Sequence, residues 1–224
     1  MKTVLAIGAH PDDIEIGCGG TISVLLDKGY RILPLVVTSG EEGDLHDSKE
    51  QLGDRRESEA RSSAAALGAS DVIFLHEPDG LTNYSKGAKI KLISVLRELR
   101  PEIVFTHSSS DHFPDHQIVH RLAQDALVAA SGPWYPEAGG SPHAVEKVYG
   151  YEVWHPLTRY QMSIDISHVI ERKLTALRCH ASQTKGVDYL EAVRGLALFR
   201  GAMTMRGKYA EVFEVLKTNL EAGC

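Results

Sequence analysis

Apolar and polar positions fall into two alternating patterns along the first half of the chain. Short runs rich in Val, Ile and Leu at 2–9, 31–37, 71–76 and 102–107 read as buried strands. Between them, over 19–28, 55–69 and 89–100, the patterning is helical, and Gly29, Gly68 and Pro101 mark where those helices stop. The third helix is amphipathic, with Ile90, Ile93, Leu96 and Leu99 or their neighbours on one face. Pro34 sits inside the second strand run. It cannot donate to a ladder, so it predicts an edge position or a bulge. The polar, Gly-rich stretch 38–54 predicts a long loop of the kind that forms lids and binding loops. Residues 77–87 read as a second, turn-rich loop.

The second half predicts a helix at about 116–131 and a loop through Pro133, Pro136, Gly139, Gly140 and Pro142. Strands over 145–154 and 159–167 and helices over 168–181 and 187–205 follow. Strands alternating with helices imply βαβ units with right-handed crossovers. The fold class expected is therefore α/β, a mostly parallel sheet flanked by helices. With no repeat, low-complexity tract or linker, residues 1–224 read as a single domain.

Composition narrows the function classes. The chain has 24 Lys+Arg against 30 Asp+Glu, a net charge of −6, which argues against a nucleic-acid partner that would need a clustered basic face. No apolar run approaches the ~18 residues of a membrane span, so no membrane partner is expected. The N-terminus MKTVLAIGAHPDD does not read as a signal peptide. Three distant cysteines, Cys18, Cys179 and Cys224, offer no CxxC and no disulfide framework, which fits a reduced cytoplasmic location. A chain this long buries a core without a structural metal, so a metal here would be functional. Eleven histidines among many carboxylates make a metal site worth seeking.

In an open parallel sheet, ligands bind at the carboxyl ends of the strands. The segments following the first four strands are AHPDDIEIGCGG, TSGEEGD, HEPDGLTN and HSSSDHFPDHQ, all dense in Asp, Glu and His. In the first, His10 and Asp13 are spaced to ligate one ion, while Asp12 between them can address the water bound to it. His116 in DHFPDH supplies a third ligand from a neighbouring strand end. Two histidines and one carboxylate make a catalytic zinc set, and the same set serves ferrous iron. The other histidines read as surface or core residues; His107 and His120 lie near the cluster without a matching spacing partner. GCGG is no dinucleotide fingerprint, because Ile22 stands where GxGxxG needs glycine and HPDD would repel a pyrophosphate. Its glycines predict tight helix–sheet packing. No GxSxG elbow is present to support a serine hydrolase.

AHPDDIEIGCGG resembles the signature of the PIG-L/LmbE-like metal-dependent de-N-acetylases. TSGEEG, Arg56-Glu57-Ser58-Glu59 with its Ala-rich continuation, Pro78-Asp79-Gly80 and FPDH resemble further motifs of that family, so the likeness spans most of the chain. SPHAVEKVYGYE, KLTALRCHASQ and YAEVFE resemble the bacillithiol branch, whose substrate is an N-acetylglucosaminyl malate. The resemblance implies a Rossmann-like fold and an enzyme releasing acetate from an N-acetylglucosamine-type substrate. It implies His10, Asp13 and His116 as metal ligands, with zinc the expected ion, and Asp12 as general base. Arg56 and Asp79 match positions that contact the sugar, and many relatives are homo-oligomers, hexamers among them. Asp115 is expected to orient a histidine. The family's second motif is His-Pro-Asp-His; here Phe113 replaces its first histidine, and His112 is assigned that oxyanion-stabilising role. Rival readings are an amidase on a thiol-sugar conjugate, a phosphoester hydrolase and a non-catalytic sugar-binding relative.

Overall fold

A computed structural model describes residues 1–44, 46–80 and 84–218. Cys224 and parts of the two expected loops, at 45 and 81–83, lie outside the described residues. The strands are β1 (Thr3–Gly8), β2 (Arg31–Thr38), β3 (Ile73–Glu77), β4 (Ile103–His107), β5 (Lys147–Tyr151), β6 (Met162–Asp165) and β7 (Ala210–Lys217). The helices are α1 (Asp13–Asp27), α2 (Lys49–Leu67), α3 (Lys86–Leu99), α4 (Pro114–Ala130), α5 (Ile170–Arg178), the single turn α6 (Ala181–Thr184) and α7 (Tyr189–Thr204).

One sheet orders the strands β3-β2-β1-β4-β5-β7-β6. β3, β2, β1, β4 and β5 run parallel, while β7 pairs antiparallel with both β5 and β6. The α/β, Rossmann-like expectation holds. Period-two alternation explains why β1 is apolar throughout. Leu5 and Ile7 join one buried cluster with Leu92 and Leu96 of α3 and Leu122 and Ala126 of α4. Val4 and Ala6 join the cluster on the other face, with Ile14, Cys18 and Ile22 of α1 and Ala60 and Ala64 of α2. A strand buried on both faces needs apolar side chains at every position.

The GCGG glycines serve close packing, as expected. A Cβ at Gly17 would lie 2.1 Å from the Tyr151 ring, and one at Gly20 would lie 2.7 Å from Ile166. The Tyr151 hydroxyl donates to the Ile7 carbonyl at 2.7 Å, so α1, β5 and β1 close on one another at this point.

Four expectations are corrected. α1 begins at Asp13, well ahead of residue 19, which puts the HPDD carboxylates at a helix N-terminus. α2 begins at Lys49 inside the expected loop, because Ser48 and Gln51 form a reciprocal capping box. β2 is an interior strand: Pro34 pairs with Ala6 of β1, pairing with β3 starts only at Leu35, and the irregularity falls between Val36 and Thr38. β7 was not anticipated. Its charged residue Glu211 is buried, pairing with Lys173 Nζ at 2.5 Å and accepting the Gly20 and Thr21 amides at 2.9 and 2.7 Å. A carboxylate facing inward hides the strand from hydrophobic patterning.

Candidate metal centre and active-site cleft

The chain winds from β1 out to β3, then returns to β4 on the other side of β1. The crevice between the carboxyl ends of β1 and β4 is the topological switch point, where ligands bind in such sheets. Just past β1, the Ala9 carbonyl accepts both the amide and the hydroxyl of Thr38, at 3.0 and 2.9 Å. Asp12 then turns the chain into α1 with φ 115° and ψ −27°. A non-glycine residue held there costs about 1–3 kcal/mol. Arg56 of α2 holds the turn: its guanidinium donates to the carbonyls of Pro11 at 2.7 Å and Gly40 at 2.9 Å. Gly40, at φ 69°, makes room, since a Cβ there would lie 2.5 Å from that guanidinium.

Asp13, the first residue of α1, is the hub of the site. Its Oδ1 lies 3.2 Å from His116 Nε2. Its Oδ2 accepts the His10 amide at 2.7 Å and lies 3.5 Å from His10 Nδ1. Ligand atoms of His10, Asp13 and His116 all fall within 4.8 Å of one another. The far side of each imidazole faces a carboxylate. His10 Nε2 is 3.0 Å from Asp115 Oδ2 and 3.0 Å from Asp79 Oδ1, and His116 Nδ1 is 3.1 Å from Asp111 Oδ2. A carboxylate behind a ligating histidine fixes its tautomer and ring direction. The His116 ring is fully buried, yet neither nitrogen has a well-directed hydrogen bond. Buried polar atoms are rarely left so. Orphaned nitrogens converging with a carboxylate fit a divalent cation held by His10, Asp13 and His116.

The electrostatics point the same way. Burial alone would lower the His116 pKa, but Asp13 and Asp111 raise it to about 9. Burial would raise the Asp13 carboxyl, but His116 and His107 hold it well below the usual range. Asp79 is held at about 2 against its own burial, chiefly by the hydrogen bond from His10. Asp12 behaves oppositely: burial pushes it up to about 6, with Arg56 opposing and Asp13 adding to the rise. His10 and His116 are drawn toward their charged form, and among the carboxylates of Asp12, Asp13 and Asp79 it is Asp12 that holds a proton most readily.

These residues floor a cleft of about 520 Å³ that includes Glu42, Arg56, Phe113, Trp154, Gln183 and Tyr189 in its lining. The structure therefore brings together His10, Asp12, Asp13, Arg56, Asp79 and Asp115, with His116 closing the set behind them. It does not bring His112 to the cleft. That ring is exposed and packs edge-on against His155, 4.1 Å between centroids. Phe113 takes the facing position instead, edge-on to His10 at 5.7 Å. Asp79 and Asp115 both reach His10 itself, each with a carboxylate oxygen 3.0 Å from Nε2. Sequence pattern alone points to no role for Asp111, Trp154, Gln183 or Tyr189. Asp111 carried a signal, two residues before FPDH; the aromatic residues lie far along the chain and only the fold reveals them. His180, read as a surface or core residue, is buried with Nε2 3.3 Å from Glu15 Oε2.

A sequence model of the family described as GlcNAc-PI de-N-acetylase, PIG-L, matches residues 5–127. The chain belongs to the PIG-L family. It is 34% identical to a diacetylchitobiose deacetylase of Thermococcus kodakarensis, covering 94% of this chain and 82% of that one. It is 30% identical to a 4-oxalmesaconate hydratase of Pseudomonas putida, covering 92% and 82% respectively. Its fold matches the N,N'-diacetylchitobiose deacetylase of Pyrococcus horikoshii with a TM-score of 0.87, at 28% identity over 98% of this chain and 88% of that one. The expectation of an enzyme acting on an amide bond agrees with PIG-L membership. Among the described residues, no helix is long and apolar enough to cross a membrane.

Proposed function

We propose that this chain removes the N-acetyl group from an N-acetylglucosamine-type substrate, releasing acetate and a free amino sugar. The observation that carries the reading is the His10–Asp13–His116 ligand set, with the Asp12 carboxylate turned into the same cleft. A divalent ion held by those three residues would supply Lewis-acid activation of a water and of the amide carbonyl. Zinc is our first assignment and ferrous iron the second, since the donor set serves both. Asp12 takes the proton of the attacking water and returns it to the departing amine. Arg56 keeps Asp12 in its turn. Asp79 and Asp115 hold His10, and Asp111 holds His116. Phe113, Trp154 and Tyr189 offer aromatic faces to the sugar.

The charge of the cleft bears on the substituent. Its described lining carries the carboxylates of Asp12, Asp13, Glu42, Asp79 and Asp115 against the single guanidinium of Arg56, already engaged with Pro11 and Gly40. A malate glycoside would bring two more negative charges with no free cation in that lining to meet them. An uncharged glycoside suits this cleft better than the N-acetylglucosaminyl malate of the bacillithiol branch.

The likeness to a hydratase favours one alternative, addition of water to an unsaturated acid by the same ligand set. Acetate release is measured from N-acetylglucosamine, N,N'-diacetylchitobiose and N-acetylglucosaminyl malate, with metal stripped and then restored. Metal-dependent release, faster from the uncharged substrates, is the expected result. No release from any of them, with hydration of an unsaturated dicarboxylate instead, would overturn the deacetylase reading.

A further inference from the structure

His107 ends β4 and is fully buried, 3.3 Å from Asp13 Oδ2 through Nε2. By distance alone it belongs with the ligands. Its geometry says otherwise. Nε2 accepts a well-directed hydrogen bond from the Ala9 amide at 3.0 Å. The lone pair on that nitrogen is therefore engaged, and the neutral ring carries its proton on Nδ1. The ring lies flat against His116, 3.9 Å between centroids and 16° between planes. Lone pairs in two nearly parallel rings run side by side and do not converge on one ion. Ligand atoms of His107, Asp111 and His116 lie within 4.8 Å of one another, but the stack keeps them from forming a second metal site. His10 crosses His116 at 48°, an angle that does allow convergence.

We propose that His107 is a positioning residue of the metal site, a non-ligating imidazole that fixes the His116 ring by stacking and fixes the backbone ahead of His10 by accepting the Ala9 amide. This rests on the metal-site reading above. His107 is itself held in both ring and backbone. Tyr151 packs on it at 5.0 Å and 55°, and the His107 carbonyl accepts from His120 Nδ1 at 2.9 Å. One side chain thus couples the ends of β1 and β4, the two strands whose separate segments supply the ligands. The role explains why histidine stands there. Phenylalanine would preserve the stack but strand a buried amide, and asparagine could meet the amide but has no face to stack.

The test uses the full-length chain and two variants, His107→Phe and His107→Asn, each keeping one half of the role. Zinc affinity is measured by competition with a chelator, and the visible spectrum is recorded with cobalt(II) in place of zinc. Each variant should bind zinc about 10–100-fold more weakly than wild type. Each should still bind one zinc per chain at saturation, with a cobalt spectrum of wild-type intensity and an unchanged KM. Wild-type affinity in both variants would make His107 merely structural and overturn the proposal. A cobalt spectrum reporting a lost ligand would make it a ligand and overturn it too. If the wild-type chain binds no zinc or cobalt, the metal-site reading itself falls, an outcome distinguishable from failure of the His107 proposal alone.

Discussion

Arg56 Nη2 lies 3.6 Å from Asp12 Oδ2, while the same guanidinium donates to the carbonyls of Pro11 and Gly40. Arg56 therefore acts on Asp12 mainly by fixing the backbone around it. Arg56→Met should lower acetate release about 100-fold through kcat, the scale expected when a reacting group is misplaced. Metal content should stay near wild type. A rise in KM with kcat unchanged would instead mean that Arg56 serves chiefly to grip the sugar.

The φ of 115° at Asp12 makes a second prediction that is independent of catalysis. Asp12→Ala and Asp12→Gly both remove the carboxylate, so both should lose turnover by about 10²–10⁴-fold while still binding metal. They should differ in stability. Only glycine adopts this backbone without a Cβ penalty, so Asp12→Gly should be about 1 kcal/mol more stable than Asp12→Ala. Urea denaturation of the two variants reads the difference directly. Equal midpoints would mean that the turn relaxes and stores no strain.

Much of this arrangement was legible in the chain, and the reasons are local. His10, Asp12, Asp13 and His116 sit at the carboxyl ends of runs whose apolar content marks them as buried strands, so topology alone aims them at one crevice. Gly68 and Pro101 stopped helices where expected because their backbone chemistry acts within a turn. Long-range partnership was hidden. Nothing near Glu211 signals that Lys173 lies opposite, and nothing near His107 signals the face of His116. Asp79 and Asp115 looked like separate groups because their common partner, His10, lies far away in sequence. His112 lies away from the cleft for a geometric reason: in the loop before α4 adjacent residues face opposite ways, and it is Phe113 that turns inward.

The Glu15–His180 pair predicts a pH dependence of stability. Burial lowers the His180 pKa, but the Glu15 charge more than offsets it, leaving the folded-state value above the ordinary 6.5. Burial raises the Glu15 carboxyl, but His180 and Ser63 hold it below 4.5. For His180, the stabilisation is full below the unfolded value and fades as pH rises through the higher folded value. For Glu15, it is present above 4.5 and fades as pH falls through the lower folded value. The stability gap between wild type and His180→Asn should thus be widest at about pH 5–6 and narrow as pH rises through the raised folded value of His180. Taking the difference cancels the histidines of the metal site, which both proteins share. A gap that widens with pH would reverse the assigned sign.

Gly17 should tolerate no side chain. With a Cβ 2.1 Å from the Tyr151 ring, Gly17→Ala forces α1 off β5 and should cost about 1–3 kcal/mol or more. The damage should extend to the site, because Tyr151 also packs on His107. Gly17→Ala should therefore weaken metal binding as well as lower the thermal midpoint. A loss of stability with metal affinity intact would show that the helix shifts without moving His107.

The exchange of histidine for phenylalanine at 113 offers the sharpest test of how the carbonyl is polarised. Phe113 is 43% exposed, and its ring lies 4.9 Å from His116 and 5.7 Å from His10. It lines the cleft, while His112 is turned to His155. A phenyl ring offers no hydrogen bond to a developing oxyanion, and one such donor is worth about 10²–10³-fold in rate. If the site works without that donor, His112→Ala should leave acetate release within about twofold of wild type, because His112 has no part in it. Phe113→His should place a donor at the cleft wall and raise kcat, with about 10²-fold as the ceiling set by a well-aligned donor. A large loss in His112→Ala would show that the loop rearranges around substrate and that His112 performs the role after all. No gain in Phe113→His, with metal and stability intact, would mean that other groups already meet the oxyanion's need, and that the phenyl ring is kept to receive the sugar.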